Sequence, residues 1–206
     1  MVYLPSVATP ERAVRSSRRD RLLAIAIDLF TRYGVRRTSI DDLAAAAGIA
    51  KGSVYLEFRG KAELFRAAAG RLIDDLVASA IAAGDRPGAL DERITAILGA
   101  KFWRLHELVH ARPHARELID AKDAVASEVF RAAAARYADH LVAVLAAAAA
   151  RGEWSPRPPH TPADIADVLL RTAHGTGYGA RKLTAGAFRQ RLRLAVGLLL
   201  AGATVR

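Results

Sequence analysis

The chain has 206 residues with 52% hydrophobic and 6% aromatic residues, 45 alanines and no cysteine. That composition excludes disulfides, thiolate metal sites and a cysteine nucleophile, and it favours helix over a β-sandwich or parallel sheet. The formal charge of +10 invites an anionic partner, but it does not pick out one domain: residues 1–82 hold 13 Lys+Arg against 9 Asp+Glu, and the other 124 hold 18 against 12.

Residues 1–14, with Pro5 and Pro10 and no periodicity, are expected to form a disordered arm. From Arg18 onward, Leu22, Ile25, Ala26, Leu29, Phe30 and Tyr33 recur at helical spacing, and Gly34 ends the run as a C-cap glycine does. Thr38 then opens T-S-I-D-D-L with Asp41 three residues on, so Thr38 is the expected N-cap of a short helix whose inner face is Ile40, Leu43, Ala44 and Ala47. Gly48 closes it, and Ile49 and Ala50 lead to a second short helix over 51–58. Two such helices joined by a tight glycine turn have the size of a helix-turn-helix, with the longer first helix supplying the apolar surface they need. After Gly60 a long helix is expected over 61–83, with Leu64, Phe65, Ala68, Leu72, Leu76 and Ile81 along one side. Beyond the linker at 84–88, helices are expected over 90–110, from Pro113 through Ala121, and over 122–151, 163–182 and 185–203. The domain expectation is therefore an arm (1–14), a helix-turn-helix domain (15–61), a connecting helix (61–83) and a larger helical domain (84–206). No run approaches the roughly 20 apolar residues of a membrane helix and no signal-peptide core is visible, so an all-α, cytoplasmic protein without a membrane partner is expected.

The stretches I-A-I-D-L-F-T-R-Y-G (25–34), T-S-I-D-D-L-A-A-A-A-G-I (38–49) and K-G-S-V-Y-L-E-F-R-G-K-A-E-L (51–64) keep their spacing throughout. Together, Leu22–Leu64 resembles the DNA-binding domain of the tetracycline-repressor (TetR) family of bacterial transcription regulators. The resemblance implies a homodimer that binds palindromic operator DNA and is released by a small-molecule effector, with no enzymatic activity and no cofactor. It also implies phosphate contacts from Thr38, Tyr55 and Lys61; without it, these residues read as a cap, a core aromatic and a solvated lysine. From the residues themselves, Lys51 and Ser53 can reach base edges or phosphates, Gly52 permits close backbone approach, and Val54 and Phe58 face inward. Ser39, Arg36 and Arg37 are further DNA candidates, as are the arginines at 12, 15, 18, 19 and 21. Three positions depart from the family pattern. Ala50 stands where a capping Ser or Thr is common, and Leu56 and Glu57 stand where aromatic residues or histidine are common.

The remaining residues carry no fingerprint. Leu192, Val196, Leu199 and Leu200 with Val168, Leu169 and Thr172 offer apolar faces for a four-helix contact across a two-fold axis. Phe102, Trp103, His106, His110, Tyr137, His140, His174 and Tyr178 form the mixture of rings and donors that suits an effector pocket, although core or surface packing is the ordinary role of each. His106-Glu107-Leu108-Val109-His110 spells H-E-x-x-H, which in a zinc hydrolase places two imidazoles on one helix face with glutamate as general base; His140 or Glu128 are the options for a third ligand. No sheet borders it, so no metal is expected and the hydrolase stays an alternative, beside an architectural DNA-binding protein without an effector. Gly175-Thr-Gly-Tyr-Gly-Ala180 matches a dinucleotide-loop pattern, but no strand precedes it.

Overall fold

A computed structural model describes residues 10–119, 127–177 and 183–205. Among them are nine α-helices: α1 Pro10–Tyr33, α2 Ile40–Ala47, α3 Lys51–Tyr55, α4 Lys61–Gly84, α5 Leu90–Ala111, α6 Ala115–Ile119, α7 Ser127–Ala150, α8 Pro162–Gly177 and α9 Ala185–Gly202. No strand occurs among the described residues, only an isolated bridge between Pro156 and Thr204. The fold is all-α, as the composition predicts. Helix α1 begins at Pro10, ahead of the first periodic residue, because proline at a helix start has no amide to leave unpaired. Residues 10–14 therefore belong to that helix.

The chain divides into two compact units. The first contains residues up to Arg71 together with the segment from Arg112 through α6; the second contains Leu72–Ala111 and the chain from Ser127 onward. Helix α4 starts in the first and ends in the second.

In the first unit, α1 packs on α2 and α6, and α2 packs on α3. The core is built from Leu22, Leu23, Ala26 and Phe30 of α1, Leu43 of α2, Val54 of α3, Phe58, and Leu64 and Ala68 of α4, all buried. Phe30 meets Phe65 edge to face at 5.8 Å. Tyr33, expected on this face, is half-exposed at the last position of α1. Gly34 follows at φ +88°, a conformation that disfavours any side chain, and a Cβ there would stand 3.1 Å from His114 Nδ1. Helix α6 is tied to this corner. The His114 amide donates to the Thr31 carbonyl at 3.1 Å, the Val35 amide donates to Glu117 Oε2 at 2.9 Å, and Arg112 pairs with Asp28 at 2.8 Å. The Val35 amide, helped by His114, holds the Glu117 carboxyl below the usual carboxylate range.

In the second unit, α5 packs against α9, α8 and α7, and α8 packs against α7 and α9. Ile94, Ile97, Leu98 and Phe102 of α5 meet Tyr137, Leu141 and Leu145 of α7, Ile165 and Leu169 of α8, and Phe188, Leu192, Val196 and Leu200 of α9 in one buried core. Leu169, Leu192, Val196 and Leu200, offered above as a contact between copies, are thus core residues of their own protomer. The reason is periodicity: 188, 192, 196 and 200 form one stripe, which α5 covers. Leu194 and Leu198 lie about 200° round the helix from that stripe and are 64% and 65% exposed, with Val168 of α8 at 42%.

Candidate nucleic-acid interface

The helix-turn-helix is set by its caps. Ser39, not Thr38, is the N-cap of α2: its backbone is extended, its Oγ accepts from the Asp42 amide at 3.1 Å, and Asp42 Oδ2 accepts from the Ser39 amide at 2.7 Å. Thr38 is buried instead, with its hydroxyl donating to the Gly34 carbonyl at 2.9 Å. Both T-x-x-D and S-x-x-D are present in the sequence, and burial of Thr38 selects the second. The Ser39 hydroxyl and then its amide hold the Asp42 carboxyl below its ordinary value. A depressed carboxylate stabilises the fold above the unfolded pKa, and that contribution is lost as pH falls through the depressed value. Ser39→Ala is therefore expected to cost about 1 kcal/mol at neutral pH and to shrink the difference as Asp42 protonates, measured by urea unfolding at neutral and acid pH. A loss that is the same at both pH values would contradict the cap's ionised form.

Helix α2 ends on Gly48 at φ +66°, whose amide bonds back to Ala44 and Ala45. Helix α3 is preceded by the N-cap Ala50, which makes no side-chain cap, and is shorter than expected. Residues 56–58 continue as a turn, with the Glu57 and Phe58 amides both donating to the Val54 carbonyl at 3.0 Å. Arg19 closes this end: its guanidinium donates to the Glu57 carbonyl at 2.5 Å and lies 4.3 Å from the Phe58 ring centroid. Arg21 donates to the Ala47 carbonyl at 3.0 Å, at the end of α2. These two arginines, candidates for phosphate above, thus position the recognition elements from behind.

The DNA candidates lie as follows. Lys51, Gly52, Tyr55, Arg36, Arg37 and Ser39 are exposed, and Ser53 and Lys61 are half-buried. Lys51 Nζ pairs with Asp41 at 2.8 Å, which raises the ammonium's pKa through that hydrogen bond. An exposed pair of this kind adds little stability but fixes the position of the charge. Lys61 Nζ donates to the Arg36 carbonyl at 3.2 Å, which brings the start of α4 to the turn before α2. Gly52 has open space around its Cβ position and a negative φ, so nothing within the domain demands glycine there. Its bareness faces outward. Gly52, Tyr55 and Leu56, spaced i, i+3, i+4, are exposed on one side, as is Arg59 beyond the turn, while Val54 and Phe58 are buried. Leu56 and Arg59 were not among the sequence candidates; the helical offset from Gly52 was the available signal for Leu56, whereas Arg59 lies past the helix end.

The candidate pocket residues fall in the second unit. Phe102 meets Tyr137 and His174 edge to face at 6.4 and 6.1 Å. The buried Tyr137 hydroxyl donates to the Ile97 carbonyl at 3.2 Å, and burial pushes its phenol pKa up. Trp103 lies 5.2 Å from His106 and 5.5 Å from Phe188, and His106 lies 4.2 Å from His110 between ring centroids. His140 is half-buried near Gly84, whose Cβ would sit 3.3 Å from its Nε2. His110 and His174 are exposed. Tyr178 lies outside the described residues, as do the start of the helix expected from Lys122 and residues 178–180 of the glycine pattern. Sequence reasoning missed Phe188 and Lys101, whose Nζ lies 4.1 Å from the Tyr137 ring centroid. In the H-E-x-x-H stretch His106 is buried and Glu107 exposed, and no group of three metal-capable side chains exists among the described residues. The zinc-hydrolase alternative has no support. Among the described residues no helix is long and apolar enough to cross a membrane.

A capped short helix, a left-handed glycine turn and a second short helix, held by α1 and α4, define an N-terminal helix-turn-helix domain. Residues 22–68 match the family model "Bacterial regulatory proteins, tetR family", so this N-terminal domain is of the tetR-family type. It is 42% identical over 62 residues to the HTH-type transcriptional repressor KstR2 of Rhodococcus jostii, covering 30% of each chain. It is also 40% identical over 47 residues to the HTH-type transcriptional regulator AcrR of Shigella flexneri, covering 23% of this chain and 22% of that one. The chain thus spans less than a third of the length of these curated relatives. Along most of its length it is similar to the crystal structure of a tetR-family transcriptional regulator from Streptomyces coelicolor, with 25% identity, TM-score 0.66, and coverage of 91% of this chain and 82% of that one.

Proposed function

We propose that this chain is a ligand-responsive transcriptional regulator, a repressor, that binds palindromic operator DNA as a homodimer and is released by a small-molecule effector. The observation that carries this is the outer surface of α3 within a tetR-family domain: Lys51, Gly52, Tyr55 and Leu56 face out while Val54 and Phe58 anchor the helix. A five-residue helix can enter the major groove because the rest of the domain holds it. Lys61, Tyr55, Arg36, Arg37 and Ser39 then serve as phosphate contacts, and the exposed Leu194 and Leu198 of α9 with Val168 of α8 supply the dimer contact. The rings around Phe102, Tyr137 and Trp103 are the effector site in this scheme. An effector acts only through stronger binding to a conformation in which the two recognition helices miss successive major grooves, and α4, continuous from one unit into the other, is the covalent path. The relatives named above are regulators, consistent with a non-catalytic role.

Lys61→Ala and Tyr55→Phe test the site. Each is expected to weaken operator affinity about tenfold or more with the dimer intact, and Lys61→Ala to flatten the salt dependence by about one unit of log–log slope per half-site. Unchanged affinity in fluorescence anisotropy would contradict these contacts.

A further inference from the structure

We infer that Leu56 is a specificity-determining residue that selects a thymine by contact with its C5-methyl group. This rests on the DNA-binding function proposed above. Leu56 is 72% exposed, the most exposed large hydrophobic side chain among the described residues. It is not a loose loop residue. Its backbone is helical at φ −68° and ψ −24°, its amide donates to the Gly52 carbonyl at 3.2 Å, and it stands between the buried Val54 and Phe58. The following carbonyl is held by Arg19. Its backbone position is therefore fixed, one turn after the bare outer face of Gly52, where no atom lies within 4 Å of a Cβ position. A flat surface can come close at that spot, and Leu56 is what it would meet.

Charge chooses the occupant. Within ten residues of Leu56 in the same unit lie Lys51, Arg59, Lys61 and Arg66 against Glu57 and Glu63, with Lys51 paired to Asp41. This local excess of cations beside an exposed leucine suits a polyanion better than an apolar protein face. In the major groove the thymine methyl is the one apolar group presented by a base edge. Leucine offers neither donor nor acceptor, so against guanine or cytosine it would strip water from polar atoms without replacing their hydrogen bonds. Against thymine it buries a methyl group.

The test starts with selection of binding sites by the full-length protein from a pool of random duplexes. In the selected duplex each thymine is then replaced singly by deoxyuridine, which removes only the methyl group. At one position per half-site the wild type is expected to lose about threefold to fivefold in affinity, hence roughly tenfold or more when both half-sites are changed. Leu56→Ala, folded as the wild type by thermal melting because Leu56 is exposed, is expected to bind the thymine duplex more weakly and to be indifferent to the change. A wild type insensitive to every replacement would overturn the inference while leaving a sequence-specific regulator in place. So would a Leu56→Ala protein with undiminished sensitivity. Enrichment of no sequence at all would overturn the regulator function itself, and the inference with it.

Discussion

Truncating Phe58 to alanine is expected to destabilise the first unit by about 3–5 kcal/mol and to abolish specific DNA binding. Phe58 is 1% exposed and closes the turn that follows α3, with its amide on the Val54 carbonyl and the Arg19 guanidinium over its ring. Its removal leaves a cavity beneath the recognition surface and takes away a cation–π contact of about 0.5–1 kcal/mol. The same guanidinium holds the Glu57 carbonyl, so the end of the recognition segment loses both its floor and its clamp. Urea unfolding followed by circular dichroism measures the loss. Leu56→Ala, two residues away but exposed, serves as control and is expected to change stability by less than about 0.5 kcal/mol. A Phe58→Ala loss no greater than the control's would mean that the ring is not a support.

Converting both Leu194 and Leu198 to glutamate is expected to leave the protomer folded and to split the dimer. Both side chains point away from the stripe that fills the protomer's own core, so the substitutions leave that core intact. In a two-fold contact the same patch faces itself, so each added carboxylate meets a second one. Burying the two leucines of each protomer contributes on the order of 6–12 kcal/mol in total, from about 1.5–3 kcal/mol per side chain. Sedimentation equilibrium should then report a monomer, and operator affinity should fall by about a hundredfold or more because the half-sites are no longer linked. A dimer that persists would place the interface elsewhere.

Much of the fold was legible because its signals are local. Gly34 and Gly48 both take the left-handed conformation at helix ends, and Ile40, Leu43 and Ala44 of the inner face read for α2 are buried, with Ala47 at its edge. What was not legible depends on contacts distant in sequence. T-S-I-D-D-L offers two overlapping caps, and the choice between Thr38 and Ser39 is made by the carbonyl of Gly34 and the burial of Thr38. Helix α9 is apolar on both sides, and α5, nearly a hundred residues earlier, decides which side is core. Helix α6 follows α5 in the chain, yet His114 and Glu117 fasten it to Thr31 and Val35. The arginine cluster looked like a phosphate-binding run, whereas Arg19 and Arg21 are spent on backbone carbonyls. At the site, residue type named Lys51 and the family resemblance named Tyr55 and Lys61, whereas Leu56, which carries no polar group, was passed over.

The central claim is sequence-specific DNA recognition, and its most direct measurement is the ratio of affinities for a selected duplex and its scrambled counterpart. Fluorescence anisotropy with the full-length protein, repeated across a salt series, supplies it. Both duplexes should bind more weakly as salt rises, because phosphate contacts release counterions whatever the sequence. The selected duplex is expected to bind about a thousandfold more tightly or better at physiological salt. Equal affinities at every salt concentration would contradict a regulator and leave a DNA-binding protein that reads charge alone.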